Sequence, residues 1–167
     1  MKNPFKLLLI AIMAIFALTA VSCSEDDEPE VEPITKPYAG TFKGTISLNV
    51  ASQYTYSAEI SCTITAGDNE TLTVAFPEYS LSGTMMGDMK LGAVTIPGLV
   101  YDETKGGFYR SYGGEGLTQT MNGTEYPLNE TSTILVKTDG TGGIVIDNPF
   151  QLGKMPLPLT STFTGKR

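Results

Sequence analysis

Histidine is absent from this chain of 167 residues. Without an imidazole, no Ser-His-Asp or Cys-His arrangement can activate a nucleophile, and histidine-ligated zinc sites are excluded as well. Cysteine is nearly absent, since only Cys23 and Cys62 occur. The acidic residues Asp88, Asp102 and Glu103 stand in turn-like segments, where solvated carboxylates are expected rather than catalytic pairs. We therefore predict a protein that is not an enzyme and that needs no metal or cofactor.

Clusters of basic residues are also missing. The chain has 11 basic and 18 acidic residues, and its formal net charge is −7. Six of the acids lie between Glu25 and Glu32, and the part from Lys36 onward carries twelve acids and nine bases, a net charge of −3. Binding to nucleic acid requires a basic stripe that follows the phosphates. No nucleic-acid partner is expected.

No apolar run is long enough to span a bilayer as a helix. The longest, Leu7–Leu18, has twelve residues, whereas a spanning helix needs about 20. The run follows the basic residues Lys2 and Lys6 and precedes short side chains, which is the anatomy of a secretory signal peptide. We assign residues 1–22 to this signal and expect the mature protein to lack it.

The residues that end the signal resemble the lipobox of bacterial lipoproteins. In Ala20-Val21-Ser22-Cys23, short side chains precede a cysteine, although Ala20 stands where the lipobox most often has leucine. The same residues also suit an ordinary signal-peptidase site. The resemblance implies that Cys23 carries a lipid such as palmitate and that the protein is attached to a membrane through it. A cysteine at this position has no other evident purpose.

Residues 23–37 are interpreted as an acidic, disordered tether. The run Ser24–Glu28 is mostly acidic, and Pro29, Pro33 and Pro37 follow it, so the segment repels itself and stays extended. Its acids also resemble the export signal that Bacteroidetes-type lipoproteins carry just after the acylated cysteine. That resemblance implies an outer-membrane lipoprotein exposed at the cell surface. Both interpretations can hold together.

From Ala39 onward the hydrophobic pattern has a period of two, which predicts half-buried antiparallel strands. The clearest segments are Phe42–Val50, Tyr54–Ile64, Leu72–Phe76 and Leu157–Phe163. Cys62 shares the apolar face of its strand, so we predict a buried, inert thiol that forms no disulfide. No stretch after Leu18 keeps a helical period, and the domain is predicted to be all-β.

Turn signals separate these runs. Asn122-Gly123 and Asp139-Gly140 predict tight hairpins, and Gly67-Asp68-Asn69 marks a third. The spacing gives about nine short strands, which is typical of a sandwich or a barrel. Because the first and last strands bracket the domain, their pairing would close an up-and-down barrel and remove both sheet edges.

Three short motifs are similar to those of the calycin-like, lipocalin-like β-barrel lipoproteins of Bacteroidetes. They are Tyr38–Thr45, Met86–Leu91 and Thr162–Lys166. The resemblance extends over essentially the whole domain, residues 38–167. It implies a small antiparallel up-and-down barrel of about eight to ten strands, whose ligand is generally unknown in the family.

One strand offers a candidate ligand contact. Alternation places Phe108, Arg110 and Tyr112 on one face of their segment. If that face lines the barrel, Arg110 is a fixed cation among aromatic rings and can pair with an acidic head group. The alternative is that all three side chains point to solvent, because an unpaired buried arginine is costly.

Two functions remain open. The first is non-catalytic binding of a small hydrophobic or amphipathic ligand in the barrel or at its mouth. The second is a structural or protein-interaction module at the cell surface, with a barrel filled by its own side chains, as eight-stranded barrels can be. Met85, Met86 and Met89 fit either function, as an adaptable portal or as gap fillers under a loop.

Overall fold

The computed structural model describes residues 32–85 and 87–167. The predicted signal peptide, the lipidation site at Cys23 and most of the predicted tether therefore lie outside the described residues. Twelve β-strands and one short 3₁₀ turn at Asp68–Glu70 make up the described regular structure. The strands are β1 Gly40–Val50, β2 Tyr54–Ala66, β3 Leu72–Phe76, β4 Tyr79–Thr84, β5 Gly87–Leu91, β6 Val94–Asp102, β7 Gly107–Ser111, β8 Thr118–Met121, β9 Thr124–Pro127, β10 Thr133–Thr138, β11 Gly143–Phe150 and β12 Leu159–Lys166.

Eight of these strands form a closed antiparallel barrel in the order β1-β2-β3-β6-β7-β10-β11-β12, and β12 returns to β1. The closing pair is continuous from Lys43 opposite Lys166 to Val50 opposite Leu159. Neighbours in the barrel follow one another along the chain, so the connectivity is up-and-down. The predicted fold class and the predicted pairing of the first and last strands are confirmed.

The other four strands form a separate sheet, β4-β5-β8-β9, which we call the cap sheet. It consists of two hairpins, one inserted between β3 and β6 and the other between β7 and β10. Since strands in a meander alternate in direction, both insertions leave the barrel at the same end. That end also carries the β1–β2 turn and the segment 151–158, and we call it the cap end. The opposite end is the base end.

The barrel interior is occupied by the inward-facing side chains of its strands. Phe42, Ile46 and Leu48 of β1 are at most 1% exposed, and every other barrel strand contributes fully or nearly fully buried apolar groups. The inner face of the cap sheet adds Leu81 and Leu91 to the same hydrophobic cluster. The cap sheet therefore packs its apolar face onto the core at the cap end, as half-buried antiparallel sheets do.

Two glycines permit the closing strands to approach each other. Gly44 and Gly165 are directly opposite across the β1–β12 pair. A Cβ atom on Gly44 would overlap the backbone carbonyl oxygen of Thr164, and one on Gly165 would lie 2.5 Å from Cζ of Phe163. Only a residue without a side chain fits where the backbone approaches this closely.

The base end is held together by Arg167. Its guanidinium donates hydrogen bonds to the carbonyl oxygens of Lys36, Pro37 and Ala39, at 3.2, 3.0 and 2.8 Å, and lies 5.3 Å from the ring centroid of Phe42. This arrangement fixes the segment that enters β1 against the last strand. It combines charge-assisted hydrogen bonds with a cation–π contact.

Candidate functional site

An apolar hollow of about 60 Å³ lies at the cap end. It is formed where three segments meet: the ends of β1 and β2 that border their turn, the β4–β5 hairpin and the segment that leads into β12. The surface that faces the hollow is entirely apolar. Its lining residues are Val50, Tyr56, Thr84, Met85, Met89 and Leu157. Apolar surface that borders a concavity at a barrel mouth is a common setting for small-molecule binding.

The rim of the hollow exposes large apolar side chains. Met85 is 68% exposed, Leu157 is 43% exposed, and Tyr54, which is opposite Val50 in the β1–β2 pair, is 42% exposed. Tyr54 is the first residue of β2. Single exposed apolar groups are ordinary, whereas several around one apolar concavity indicate a contact surface.

A hydrogen bond joins the tip of the β4–β5 hairpin to the barrel wall next to the hollow. The backbone N–H of Met85 donates to the hydroxyl oxygen of Tyr56 on β2, at 3.1 Å. Within the hairpin, the Thr84 hydroxyl donates to the carbonyl oxygen of Gly87 at 2.5 Å. The hairpin therefore closes one side of the hollow, and the Tyr56 hydroxyl is one of the groups that contact its tip.

Below the cap sheet, the barrel interior contains one small polar cluster. The hydroxyl of Tyr112 donates to Oδ1 of Asn148 at 2.5 Å, and Nδ2 of Asn148 lies 3.4 Å from Oγ of Ser161. All three residues are at most 6% exposed. Burial raises the pKa of the Tyr112 hydroxyl well above its ordinary value, so this group stays protonated and remains a donor.

The three residues predicted to contact a ligand do not meet around one cavity. Phe108 is fully buried, and its ring packs edge-on against Tyr38 at the base end, with ring centroids 4.8 Å apart. Tyr112 belongs to the polar cluster. Arg110 donates to the carbonyl oxygen of Pro97 and to the carboxylate of Glu115. The alternative that all three side chains face solvent is wrong, because Phe108 and Tyr112 are buried. A role for the three residues in ligand binding stays a prediction.

Residues 38–166 match the family model described as the calycin-like β-barrel domain. This chain belongs to that family. The match extends from Tyr38, two residues before β1, to the end of β12, so it includes the whole barrel and both inserted hairpins. Searches of curated proteins and of solved structures found no match.

The calycin-like domain carries Cys62 deep in its wall, on the inward face of β2. The side chain is 0% exposed and forms no disulfide, as predicted. Burial in apolar surroundings raises the pKa of the Cys62 thiol to about 12, so the reactive thiolate is not formed at neutral pH. The prediction that Cys62 is buried and forms no disulfide is confirmed.

The loop carboxylates of the calycin-like domain stabilise turns. Oδ1 of Asp139 accepts hydrogen bonds from the N–H groups of Thr141 and Gly143, at 2.7 and 2.8 Å, and these bonds lower the pKa of its carboxyl group. In the β6–β7 turn, Oδ1 of Asp102 likewise accepts hydrogen bonds from backbone N–H groups, and the pKa of its carboxyl group is lowered. Among the described residues, no three acidic or cysteine side chains are grouped so as to hold a metal ion. Within the same residues, no helix has the length and apolarity needed to cross a membrane.

A second concavity of the calycin-like domain is a shallow groove on the outer wall, between β1 and β2. It has a volume of about 310 Å³, and its lining includes Lys43, Glu59 and Ser61. The groove is wide open to solvent, and Glu59 already accepts a hydrogen bond from the Thr45 hydroxyl. Shallow polar surface of this kind encloses little of a ligand, so the hollow at the cap end is the better candidate.

Proposed function

We propose that this calycin-like domain binds a small hydrophobic or amphipathic molecule, without chemical conversion, at the cap end of its barrel. The observation that supports the proposal is the apolar hollow between the ends of β1 and β2 that border their turn, the β4–β5 hairpin and Leu157. Each methylene group that a ligand buries there contributes about 0.8 kcal/mol. The absence of histidine from the whole chain agrees with binding rather than catalysis.

The size of the hollow implies that it receives part of a ligand. Sites for drug-sized ligands usually have volumes of about 300 to 1,000 Å³, several times larger than this one. Met85 and Met89 border the hollow, and unbranched methionine side chains adapt to an incoming group at low cost. The rest of the ligand would extend beyond the hollow.

A second function, a surface module for protein contacts, is favoured by a different observation. The interior of the barrel is occupied by buried side chains from all eight strands, as in a solid structural barrel. In that case the cap sheet is only a covering for the core. Binding of a small apolar probe at the hollow separates the two functions, because a purely structural barrel would not bind it.

A fluorescence titration with N-phenyl-1-naphthylamine tests the ligand proposal. We expect saturable binding to the wild-type protein. Met85→Asp places a charge at the hollow and should weaken binding about tenfold, while Val100→Asp is the matched control, since Val100 is 55% exposed on the outer wall. Equal binding by all three proteins, or no binding by any, would contradict the proposal.

We also propose that the protein is a lipoprotein anchored through Cys23 and displayed at the cell surface. The support lies in the sequence: the signal-like run before Cys23 and the acids after it. The first residues of the folded domain, 33–39, enter it at the base end of the barrel. Cys23→Ala should release the protein from the membrane fraction, and protease added to intact cells should cleave the anchored form.

A further inference from the structure

The interior of the barrel offers polar groups but no charges, and this limits the ligand that the proposed function can accept. Every polar residue of the described chain that is buried carries a neutral side chain: they are Thr35, Thr84, Gln119, Ser132, Asn148 and Ser161. The guanidinium of Arg110 is already occupied by Glu115 and by the Pro97 carbonyl oxygen. A carboxylate or a phosphate would therefore lose its hydration without gaining a cation.

The cluster of Tyr112, Asn148 and Ser161 has hydrogen-bonding capacity that its members do not use among themselves. Only the bond from Tyr112 to Asn148 is short. The separation between Asn148 Nδ2 and Ser161 Oγ is 3.4 Å, and the Ser161 hydroxyl reaches the carbonyl oxygen of Asn148 only at 3.5 Å. Strong bonds of these types measure about 2.8 to 3.0 Å. The side-chain amide of Asn148 has two N–H donors, and Ser161 can both donate and accept.

The cluster lies in the same row of cross-strand neighbours as the hollow. In the register of the barrel, Tyr56 is opposite Leu48, Leu48 is opposite Ser161, and Ser161 is opposite Asn148. Tyr56 lines the hollow, whereas Leu48 is fully buried. Adjacent strands are about 4.8 Å apart, and Leu48 is the residue between Tyr56 and Ser161 in this row.

We propose that the hollow and the polar cluster are two parts of one site, and that its ligand is an uncharged amphiphile. The apolar part of the ligand occupies the hollow and displaces the Leu48 side chain. Its neutral polar group, a hydroxyl, amide or ester, bonds to Ser161 and Asn148. Both a donor and an acceptor are present in the cluster, which suits these groups and not an ion. This inference rests on the proposed binding function and names its ligand class.

Displacement of bound N-phenyl-1-naphthylamine from the full-length protein at pH 8 tests the inference. The competitors are 1-decanol, which is neutral, and decanoate, which is ionised at this pH. We expect decanol to displace the probe and decanoate to do so at least about tenfold less effectively. Ser161→Ala should lower the affinity for decanol about three- to tenfold, which is the effect of one lost hydrogen bond, and should leave the affinity for the apolar probe unchanged. Ser132→Ala, another buried serine, is the matched control and should change neither.

Leu48→Ala provides a second, independent measurement. Removal of this side chain joins the hollow to Ser161, so decanol affinity should rise several-fold while the probe still binds. Equal displacement by decanol and decanoate, or a Ser161→Ala protein that binds decanol as the wild type does, would overturn the inference and leave the binding function standing. A wild-type protein that binds no probe at all would overturn both.

Discussion

Substitution of Gly44 by alanine tests whether close approach of the two closing strands holds the barrel together. The new Cβ would overlap the carbonyl oxygen of Thr164. This oxygen belongs to a paired strand and cannot rotate away as a side chain would. Overpacking in a core costs about 1 to 3 kcal/mol when side chains can adjust, so we expect a loss of at least about 3 kcal/mol here. For a domain of this size, that corresponds to a fall in Tm of roughly 10 °C or more.

Gly140→Ala is the matched comparison. Gly140 lies in the β10–β11 turn with φ of 75°, and no atom lies within 4 Å of the position of a new Cβ. Its substitution should cost only the left-handed backbone penalty, about 1 to 2 kcal/mol. Urea unfolding followed by circular dichroism gives both free energies of unfolding. If Gly44→Ala proves no more destabilising than Gly140→Ala, the reasoning about barrel closure is refuted.

Three further predictions concern the thiol, the base end and the hollow. Burial raises the pKa of the Cys62 thiol from 9.0 to about 12. The contribution of the thiol to stability is therefore complete below pH 9 and is lost as the pH rises from 9 to 12, by about 1.4 kcal/mol per pH unit. Cys62→Ala should remove this part of the dependence of the unfolding free energy on pH, which urea titrations measure. Arg167→Ala should speed hydrogen exchange of the Tyr38 amide, which bonds within the segment that Arg167 holds. Tyr56→Phe should speed exchange of the Met85 amide and accelerate probe association, because it removes the acceptor that holds the hairpin tip.

Each of these predictions has a control. A pH slope that is unchanged in Cys62→Ala would show that other groups cause the alkaline loss. Lys166→Ala changes the exposed neighbour of Arg167, and an equal effect on exchange would contradict a specific role for the arginine. Tyr54→Phe removes the hydroxyl of a rim tyrosine that is 42% exposed, and it should leave exchange at the hairpin tip unaltered.

The sequence pattern was sufficient for strands with one buried face and insufficient for the irregular ones. Alternation predicted β1, β2 and β3 well, because their apolar residues point into one core. The spacing predicted about nine strands, whereas the described residues form twelve, of which eight make the barrel and agree with the predicted eight to ten. β6 was not among the clearest predicted segments and is irregular, since Gly98 has φ of 69° and the register of β3 with β6 shifts beside it.

Prolines also changed the start of the last strand. The pattern placed Leu157 within it, but β12 begins at Leu159, and Leu157 is left at the rim of the hollow. The ring nitrogen of Pro158 has no hydrogen to donate to a ladder, which explains the later start. A side chain expected in the core thus became part of the candidate site.

The candidate site itself could not be predicted, because it depends on contacts between distant parts of the chain. The lining of the hollow comes from the ends of β1 and β2 that border their turn, the β4–β5 hairpin and the segment before β12. Alternation correctly placed Phe108 and Tyr112 on one face. It could not reveal that Tyr112 would bond to Asn148, 36 residues away, or that Arg110 would pair with Glu115 across a loop.

The arrangement of the cap sheet has a consequence for how such a protein can change. Its two hairpins are insertions into an eight-stranded meander whose hydrogen bonds close without them. Their sequences can therefore vary in length and chemistry while the ladder that fixes the barrel stays intact. Replacing each hairpin with a tight turn would uncover the cap end of the barrel. The barrel is in this sense the constant part of the domain, and the two cap hairpins are its variable part.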